Sequence, residues 1–185
     1  MKKILAFLSI LLLSTVFFGG IIIENSTFED ENIKLVFGIK TEFFTPKYFS
    51  IQIINKTDKP IKIIWDETII TDNYGDTSGV IHSGVKFINK DRPQVPSIVP
   101  PNGKFEDIII PKSHISYSSY TMKWETAQIF DSPSERYFLL TYEINGEKHI
   151  LDGTLLLQKE ELNINWGLVL GVLAVLWLLG TIIGQ

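Results

Sequence analysis

The sequence predicts an all-β domain, an immunoglobulin-like antiparallel β-sandwich, flanked by an N-terminal and a C-terminal transmembrane helix. Between residues 32 and 157, short apolar runs alternate with polar residues and are interrupted by Pro, Gly, Asn and Asp, a pattern typical of strands and turns. On either side stands an apolar block of about twenty residues, the length that crosses a bilayer as a helix. We therefore expect three parts, at 1–23, 24–162 and 164–184.

The N-terminal part has the pattern of an export signal. Lys2 and Lys3 precede a low-polarity run from 4 to 23, which matches a charged n-region followed by an apolar h-region. Cleavage after Gly19 or Gly20 would put a phenylalanine at the −3 position, where a small residue is required. We expect an uncleaved signal anchor; the alternative, a removed signal peptide, leaves the central domain on the same side of the membrane.

The C-terminal part, 164–184, contains no charged side chain and as a helix would be about 30 Å long. The two N-terminal lysines are the only positive cluster near either block, so the positive-inside rule places the N-terminus in the cytoplasm and the domain at 24–162 on the extracytoplasmic side of the cell membrane. Gly167 and Gly171 form a G-x-x-x-G pair, through which two helices could pack, either in a homodimer or between the two anchors of one chain.

Strands are predicted in the central part by the spacing of its apolar residues. Apolar side chains occupy every second position of 33–39, 49–53 and 61–65, which places them on one face of each strand. Asn145-Gly146 supplies the two positive φ angles of a type I′ turn and predicts a hairpin. About eight such strands are expected, and two packed sheets would bury their apolar faces.

Charge and composition exclude several classes of function. The chain carries a formal net charge of −4, and the two N-terminal lysines lie outside the predicted domain, which is therefore more acidic still. Such a surface repels phosphate backbones, so no nucleic-acid partner is expected. The absence of cysteine excludes a disulfide framework, a thiol nucleophile and acylation at a lipobox cysteine.

No motif predicts a catalytic centre, a metal or a cofactor. His82, His114 and His149 are too widely spaced to indicate one metal site. His82-Ser83 with Asp66 suggests a catalytic triad, but the sequence has neither a G-x-S-x-G elbow nor a glycine-rich oxyanion loop. We predict a non-enzymatic protein and assign no catalytic, metal-binding or cofactor-binding residue.

An acidic segment and an aromatic pair are the features with a candidate role at the surface. Acidic residues gather between Asp66 and Asp76, but without the ligand spacing of an EF-hand loop, so a solvated loop is expected. Phe43 and Phe44 precede Thr45-Pro46 and are expected to be exposed at a turn. The candidate surface-binding residues are Asp66, His82, Phe43 and Phe44.

Three segments resemble a known group of proteins: IIWDE at 63–67, VIHSGVK at 80–86 and IVPPNG at 98–103. Over residues 48–112 the chain is similar to a family of uncharacterised bacterial cell-envelope proteins, many of them lipoproteins. The resemblance implies a bacterial origin and an immunoglobulin-like fold, and it supplies no activity. This chain departs from the lipoprotein pattern because it has no cysteine for acylation and carries an apolar C-terminal block instead.

Together these features predict a membrane-anchored envelope protein whose extracytoplasmic β-sandwich binds or supports another envelope component. The expected partners are membrane lipid and an envelope protein or other envelope component, with a homodimer through the C-terminal helix as a further arrangement. Two alternatives remain open: a phage or mobile-element exclusion factor at the cell membrane, and a membrane-tethered hydrolase.

Overall fold

Strands make up most of the regular structure in the residues that the computed structural model describes, 21–43 and 45–159. Thirteen strands are present in these residues, together with three single turns of 3-10 helix at Trp65–Glu67, Phe87–Asn89 and Lys112–His114. In chain order the strands are β1 (Ile21–Ile23), β2 (Thr27–Glu29), β3 (Ile33–Glu42), β4 (Thr45–Asn55), β5 (Ile61–Ile63), β6 (Ile69–Thr71), β7 (Thr77–His82), β8 (Ser97–Val99), β9 (Lys104–Pro111), β10 (Ile115–Ser118), β11 (Lys123–Thr126), β12 (Ser134–Ile144) and β13 (Glu147–Lys159).

The two longest hairpins follow the alternation of the sequence. β3 and β4 pair antiparallel with Phe37 opposite Ile51, so the apolar side chains of both strands face the same side. β12 and β13 pair antiparallel from Ile144 opposite Glu147 back to Ser134 opposite Leu157. The residues between them, Asn145 and Gly146, have φ angles of 52° and 87°, which confirms the predicted turn.

The strands form one large sheet and one separate hairpin. The large sheet has eleven strands: nine pair in the order β1-β13-β12-β6-β7-β9-β4-β3-β2, and β5 pairs with both β12 and β8. β10 and β11 pair only with each other among the described strands. The apolar side chains of β3 and β4 and those of β12 and β13 pack into the same core.

The large sheet is continuous because β7 changes its partner along its length. Its first half pairs with β6, Gly79 lying opposite Ile69, and its second half pairs with β9, Val80 lying opposite Pro111. Backbone hydrogen bonding therefore passes from one half of the fold to the other, and the sheet curls around its core as a half-barrel. The prediction of two separate immunoglobulin-like sheets is wrong, because apolar alternation identifies strands but not which strand bridges them.

The core is made of large aliphatic and aromatic side chains from both halves of the sheet. Trp65, Tyr142 and Phe49 are among the largest fully buried side chains. Burial of such side chains contributes roughly 25 cal/mol for each Å² of apolar surface removed from water. The chain contains no cysteine, so this packing rather than a disulfide stabilises the domain.

The prediction of flanking transmembrane helices, the second part of the fold class, is also wrong. Among residues 21–43 and 45–159, no helix has the length and apolar character needed to cross a bilayer. Ile21–Ile23, assigned from the sequence to the N-terminal anchor, form β1 beside β13, because Ile21 and Ile23 pack against the core. The remainder of the N-terminal segment and all of 164–184, including Gly167 and Gly171, lie outside the described residues.

Candidate functional site

His82, a candidate from the sequence, lies at the end of β7 and is fixed by two contacts. Its ring stacks on the indole of Trp65, with ring centroids 4.8 Å apart and an interplanar angle of 14°. Its Nδ1 lies 3.1 Å from Oδ2 of Asp107 on β9. One face of the imidazole is therefore covered by a buried aromatic ring, and one of its nitrogens is bound to a carboxylate.

The Asp107 carboxylate collects hydrogen bonds from three directions. Besides His82, the backbone N–H of Ser83 donates to Oδ1 at 3.2 Å and the N–H of Ile108 donates to it at 2.7 Å. Burial by itself would raise the pKa of Asp107, but these hydrogen bonds outweigh it and hold the pKa below its ordinary value. The carboxylate is therefore a charged acceptor that ties β9 to the end of β7.

Gln94 connects the two polar candidates of the sequence. Its backbone N–H donates to both carboxylate oxygens of Asp66, at 3.2 and 3.1 Å. Its side-chain oxygen accepts the backbone N–H of His82 at 3.3 Å, and its Nε2 donates to the Val80 carbonyl at 2.8 Å. Asp66 and His82 thus belong to one network, although they do not bind each other directly.

This network differs from the triad that the sequence suggested. The carboxylate on the His82 ring belongs to Asp107, 25 residues along the chain, and Asp66 binds the Gln94 backbone instead. Ser83 donates its backbone N–H, not its hydroxyl, to the same carboxylate. This bond fixes the loop after β7 and does not form a proton relay. The arrangement fixes the positions of a loop and a strand.

A groove of about 660 Å³, lined by apolar and polar residues, adjoins this network on the outer face of the sheet. Gln52 Nε2 donates to Glu106 Oε1 at 2.8 Å across β4 and β9, and Lys104 lies 3.2 Å from the same oxygen. These hydrogen bonds from Gln52 and Lys104 lower the pKa of Glu106. The polar and small residues lining the groove are Gly38, Lys40, Ser50, Gln52, Ser83, Glu106 and Asp107.

The floor of the groove depends on a glycine. A Cβ atom at Gly38 of β3 would lie 2.6 Å from Oγ of Ser50 on the neighbouring strand, closer than van der Waals contact allows. The serine hydroxyl therefore sits over the glycine backbone. A larger residue at position 38 would displace Ser50 and change the shape of the floor.

Asp66, Glu67 and Asp76 of the acidic segment are exposed, as expected of a solvated loop, whereas Asp72 is not. Asp72 is buried, and its Oδ1 accepts the N–H groups of Tyr74 at 2.9 Å and of Asp76 at 3.1 Å. The guanidinium of Arg136 donates to the Asp72 carbonyl and to the side chain of Asn73. In the described part of the chain, no three His, Asp or Glu side chains are placed to hold a metal ion.

The aromatic candidate that the structure describes is at a turn, as predicted. Phe43 follows β3, has a φ angle of 48°, and exposes 92% of its surface. It lies apart from the Asp66 and His82 network, which is on β7 and the loops beside it. Phe44, Gly167 and Gly171 lie outside the described residues.

Sequence reasoning missed Asp107 and Gln94. Both act through contacts between residues distant in the chain, and neither belongs to a recognisable motif. Gln94 stands between Pro93 and Pro96, a segment that the sequence marks only as an interruption of regular structure. The single available signal was the apolar run that follows Asp107, since a carboxylate beside buried residues needs a partner.

Comparisons with known proteins show structural likeness of low degree. No family model matches the chain, and no curated protein matches it either. Solved structures to which it is similar include a target of the Northeast Structural Genomics Consortium, SoR45, at 17% identity over 74% of this chain and 93% of that chain, with a TM-score of 0.41. The GAE domain of GGA2p from Saccharomyces cerevisiae is similar at 13% identity over 73% of this chain and 94% of that one, with a TM-score of 0.35. Likeness at this level carries no conclusion about function.

Proposed function

We propose that this chain is a non-enzymatic cell-envelope protein whose extracytoplasmic β-domain binds another envelope component in the groove on β3, β4 and β9. The observation that carries the proposal is the groove itself, which is open, about 660 Å³ in volume, and lined by apolar as well as polar residues. A concave site with a few convergent polar groups is the usual form of a binding site.

The lining favours a ligand that has both apolar surface and polar groups. Lys40 brings an ammonium group, Glu106 a carboxylate, and Ser50 and Ser83 hydroxyl groups that both donate and accept hydrogen bonds. Both signs of charge and both hydrogen-bonding roles are therefore present within one groove. We expect the bound segment of the partner to carry hydroxyl, amide or charged groups.

The network around His82 supports binding rather than catalysis in this proposal. The stacking of His82 on Trp65 and its bond to Asp107 hold Ser83 at the border of the groove. A preorganised wall lowers the conformational entropy that binding costs. On this reading His82 positions the groove and does not transfer protons.

The envelope location rests on the sequence. Lys2 and Lys3 precede the apolar run at 4–23, the pattern of an export signal, and the resemblance over 48–112 is to envelope proteins. The domain has no cysteine, so a single introduced cysteine reports its side of the membrane directly. Asp58→Cys is exposed in a loop and should react with a membrane-impermeant maleimide in intact cells.

Site-specific photocrosslinking tests the binding site. A photoreactive benzoylphenylalanine replaces Lys40 at the groove in the full-length chain, and Ile150, which is exposed on β13, carries it in the matched control. We expect an adduct with an envelope component from position 40 that position 150 does not give. The same adduct from both positions, or none from position 40, would overturn the proposal.

A second substitution ties the adduct to the groove. Ser50→Arg, placed in the chain that carries the photoreactive residue at 40, should fill the floor and remove the adduct. The control substitution Ile150→Arg adds the same side chain on β13 and should leave the adduct unchanged. Persistence of the adduct in the Ser50→Arg chain would locate the partner elsewhere on the domain.

A further inference from the structure

The described chain enters and leaves the sheet at the same end of the domain. β1 begins at Ile21, and the backbone N–H of Glu24 after it donates to the carbonyl of Leu156 on β13 at 3.0 Å. β13 ends at Lys159, beside the start of β12, where Ser134 lies opposite Leu157. The Asn145-Gly146 turn closes the same two strands at the opposite end.

Three loops lie at this end as well. Arg136, near the start of β12, donates to Asp72 and Asn73 in the β6–β7 turn and to the Ile129 carbonyl. The backbone N–H of Ile129 in turn donates at 3.0 Å to the carbonyl of Pro46, next to the β3–β4 turn. We call this end, formed by the β3–β4 turn, the β6–β7 turn, residues 127–131, the start of β1 and the end of β13, the exit end.

Large apolar side chains project from the exit end into solvent. Phe43 in the β3–β4 turn is 92% exposed, Tyr74 in the β6–β7 turn is 88% exposed, and Ile22 on β1 is 41% exposed. The φ angle of Phe43 is 48°, in a region where glycine or asparagine is the usual residue. A phenylalanine in that conformation carries a steric cost that its exposed side chain does not offset by packing in the core.

The opposite end of the domain has turns of the ordinary kind. Its positive-φ residues are Asn102, Asn145 and Gly146, and the loop at Asp58 and Lys59 is polar and exposed. The β10–β11 turn, outside the large sheet, also exposes Tyr120 and Met122, so the contrast is one between the two ends of the large sheet.

We propose that the exit end of the domain rests on a lipid surface, with Phe43 and Tyr74 at the level of the lipid headgroups. Two uncharged, largely apolar segments lie beyond this end: residues 4–20 before Ile21, and residues 164–184 after Glu160 and Glu161. Aromatic side chains are enriched where protein meets the membrane interface, because their rings are apolar and tyrosine adds a polar hydroxyl. A lipid surface therefore matches both the exposed side chains and the sequence that follows them.

The charges at the exit end favour neutral lipid. Asp76 and Asp131 lie in two of its loops and are exposed, against one exposed cation, Lys159, at the end of β13, and acidic groups are repelled by anionic headgroups. The contact should therefore depend on apolar insertion, and anionic lipid should not strengthen it. Phosphatidylcholine vesicles are accordingly the probe, with a parallel set that contains phosphatidylglycerol.

The absence of cysteine permits a direct test with the full-length chain in vesicles. Phe43→Cys and Tyr74→Cys each receive an environment-sensitive fluorophore, and Asp58→Cys at the opposite end is the matched control. All three side chains are exposed, so labelling leaves the core intact. We expect spin-labelled lipid to quench the labels at 43 and 74 at least about twofold more than the label at 58, since only the first two would lie at the interface.

Equally weak quenching at all three positions, as expected of labels in water, would overturn the proposal. Failure of the full-length chain to float with the vesicles would overturn it as well. Quenching at 43 and 74 that appears only with phosphatidylglycerol would contradict the neutral contact. The result is independent of the groove, because the photoreactive residue at 40 reports the groove partner whether or not the exit end contacts lipid.

Discussion

The main core and a second, smaller cluster contain the same kinds of side chain but are covered by different numbers of strands. The main core lies between the two halves of the curled sheet, with buried residues from β3 to β13. The second cluster consists of buried Ile81, Ile110 and Ile115, with Trp124 and other half-buried side chains around it. It is covered by β10 and β11, a hairpin that pairs with no other described strand. Because fewer elements cover the second cluster, we expect it to open without unfolding the rest.

The largest effect is expected from the main core. Trp65→Ala should lower the free energy of unfolding by about 3–5 kcal/mol, since it removes a fully buried indole and leaves a cavity. It also removes the hydrogen bond from Trp65 Nε1 to Ser97 Oγ at 3.0 Å and the ring under His82. Urea unfolding followed by circular dichroism measures the change, and Val95→Ala, at an exposed position, is the control. A loss below about 0.5 kcal/mol, the usual range of surface sites, would show that this side chain does not support the core.

A smaller and local effect is expected from the second cluster. Trp124→Ala should cost about 1–2 kcal/mol, because this side chain is only half-buried. Hydrogen exchange should accelerate at Ile115–Ser118 and Lys123–Thr126 and remain slow in β12 and β13. Tyr120→Ala removes an exposed aromatic side chain from the same hairpin and should change neither. Equal acceleration in β12 would mean that the two clusters unfold as one unit.

The stability of the domain should depend on pH through His114, in the segment that connects β9 and β10. His114 is buried, its Nδ1 has no hydrogen-bond partner among the described residues, and it lies between β9 and β10. Burial first, and then the positive charge of Arg136, lower its pKa below the ordinary 6.5. The neutral form therefore stabilises the folded state fully above pH 6.5, and this contribution is lost as the pH falls, because the unfolded chain binds the proton more readily.

Unfolding titrations at several pH values compare the original chain with His114→Gln. The stability of the original chain should decline faster than that of the variant as the pH falls below 6.5. Parallel pH profiles would show that the burial of His114 is not linked to stability.

Local features of the fold followed from the sequence. Alternating apolar residues in β3 and β4 placed Phe37 and Ile51 on the same face, because side chains alternate across a strand whatever its neighbours are. Asn145-Gly146 specified its turn because few residue pairs adopt two positive φ angles. The exposed turn at Phe43 was also predicted, from the proline that follows it closely.

The sequence could not supply the contacts that define the candidate site. From the sequence, His82 was paired with Asp66 in a suggested triad, whereas its ring binds Asp107. The choice between these carboxylates depends on the pairing of β7 with β9, which places His82 opposite Ile109. Pairing between distant strands is determined by the packing of the whole core, so no local pattern predicts it.

The sequence by itself determined the all-β character of the central domain, its acidic charge and the apolar character of the segments beyond it, because these depend on residue type and spacing alone. Tertiary structure decided that β7 joins the two halves into one curled sheet, that Ile21–Ile23 form a strand beside β13, and that Gln94 links Asp66 to His82. These outcomes depend on which distant groups meet once the core has closed. Burial then requires each polar group inside to find a partner, wherever in the chain that partner lies.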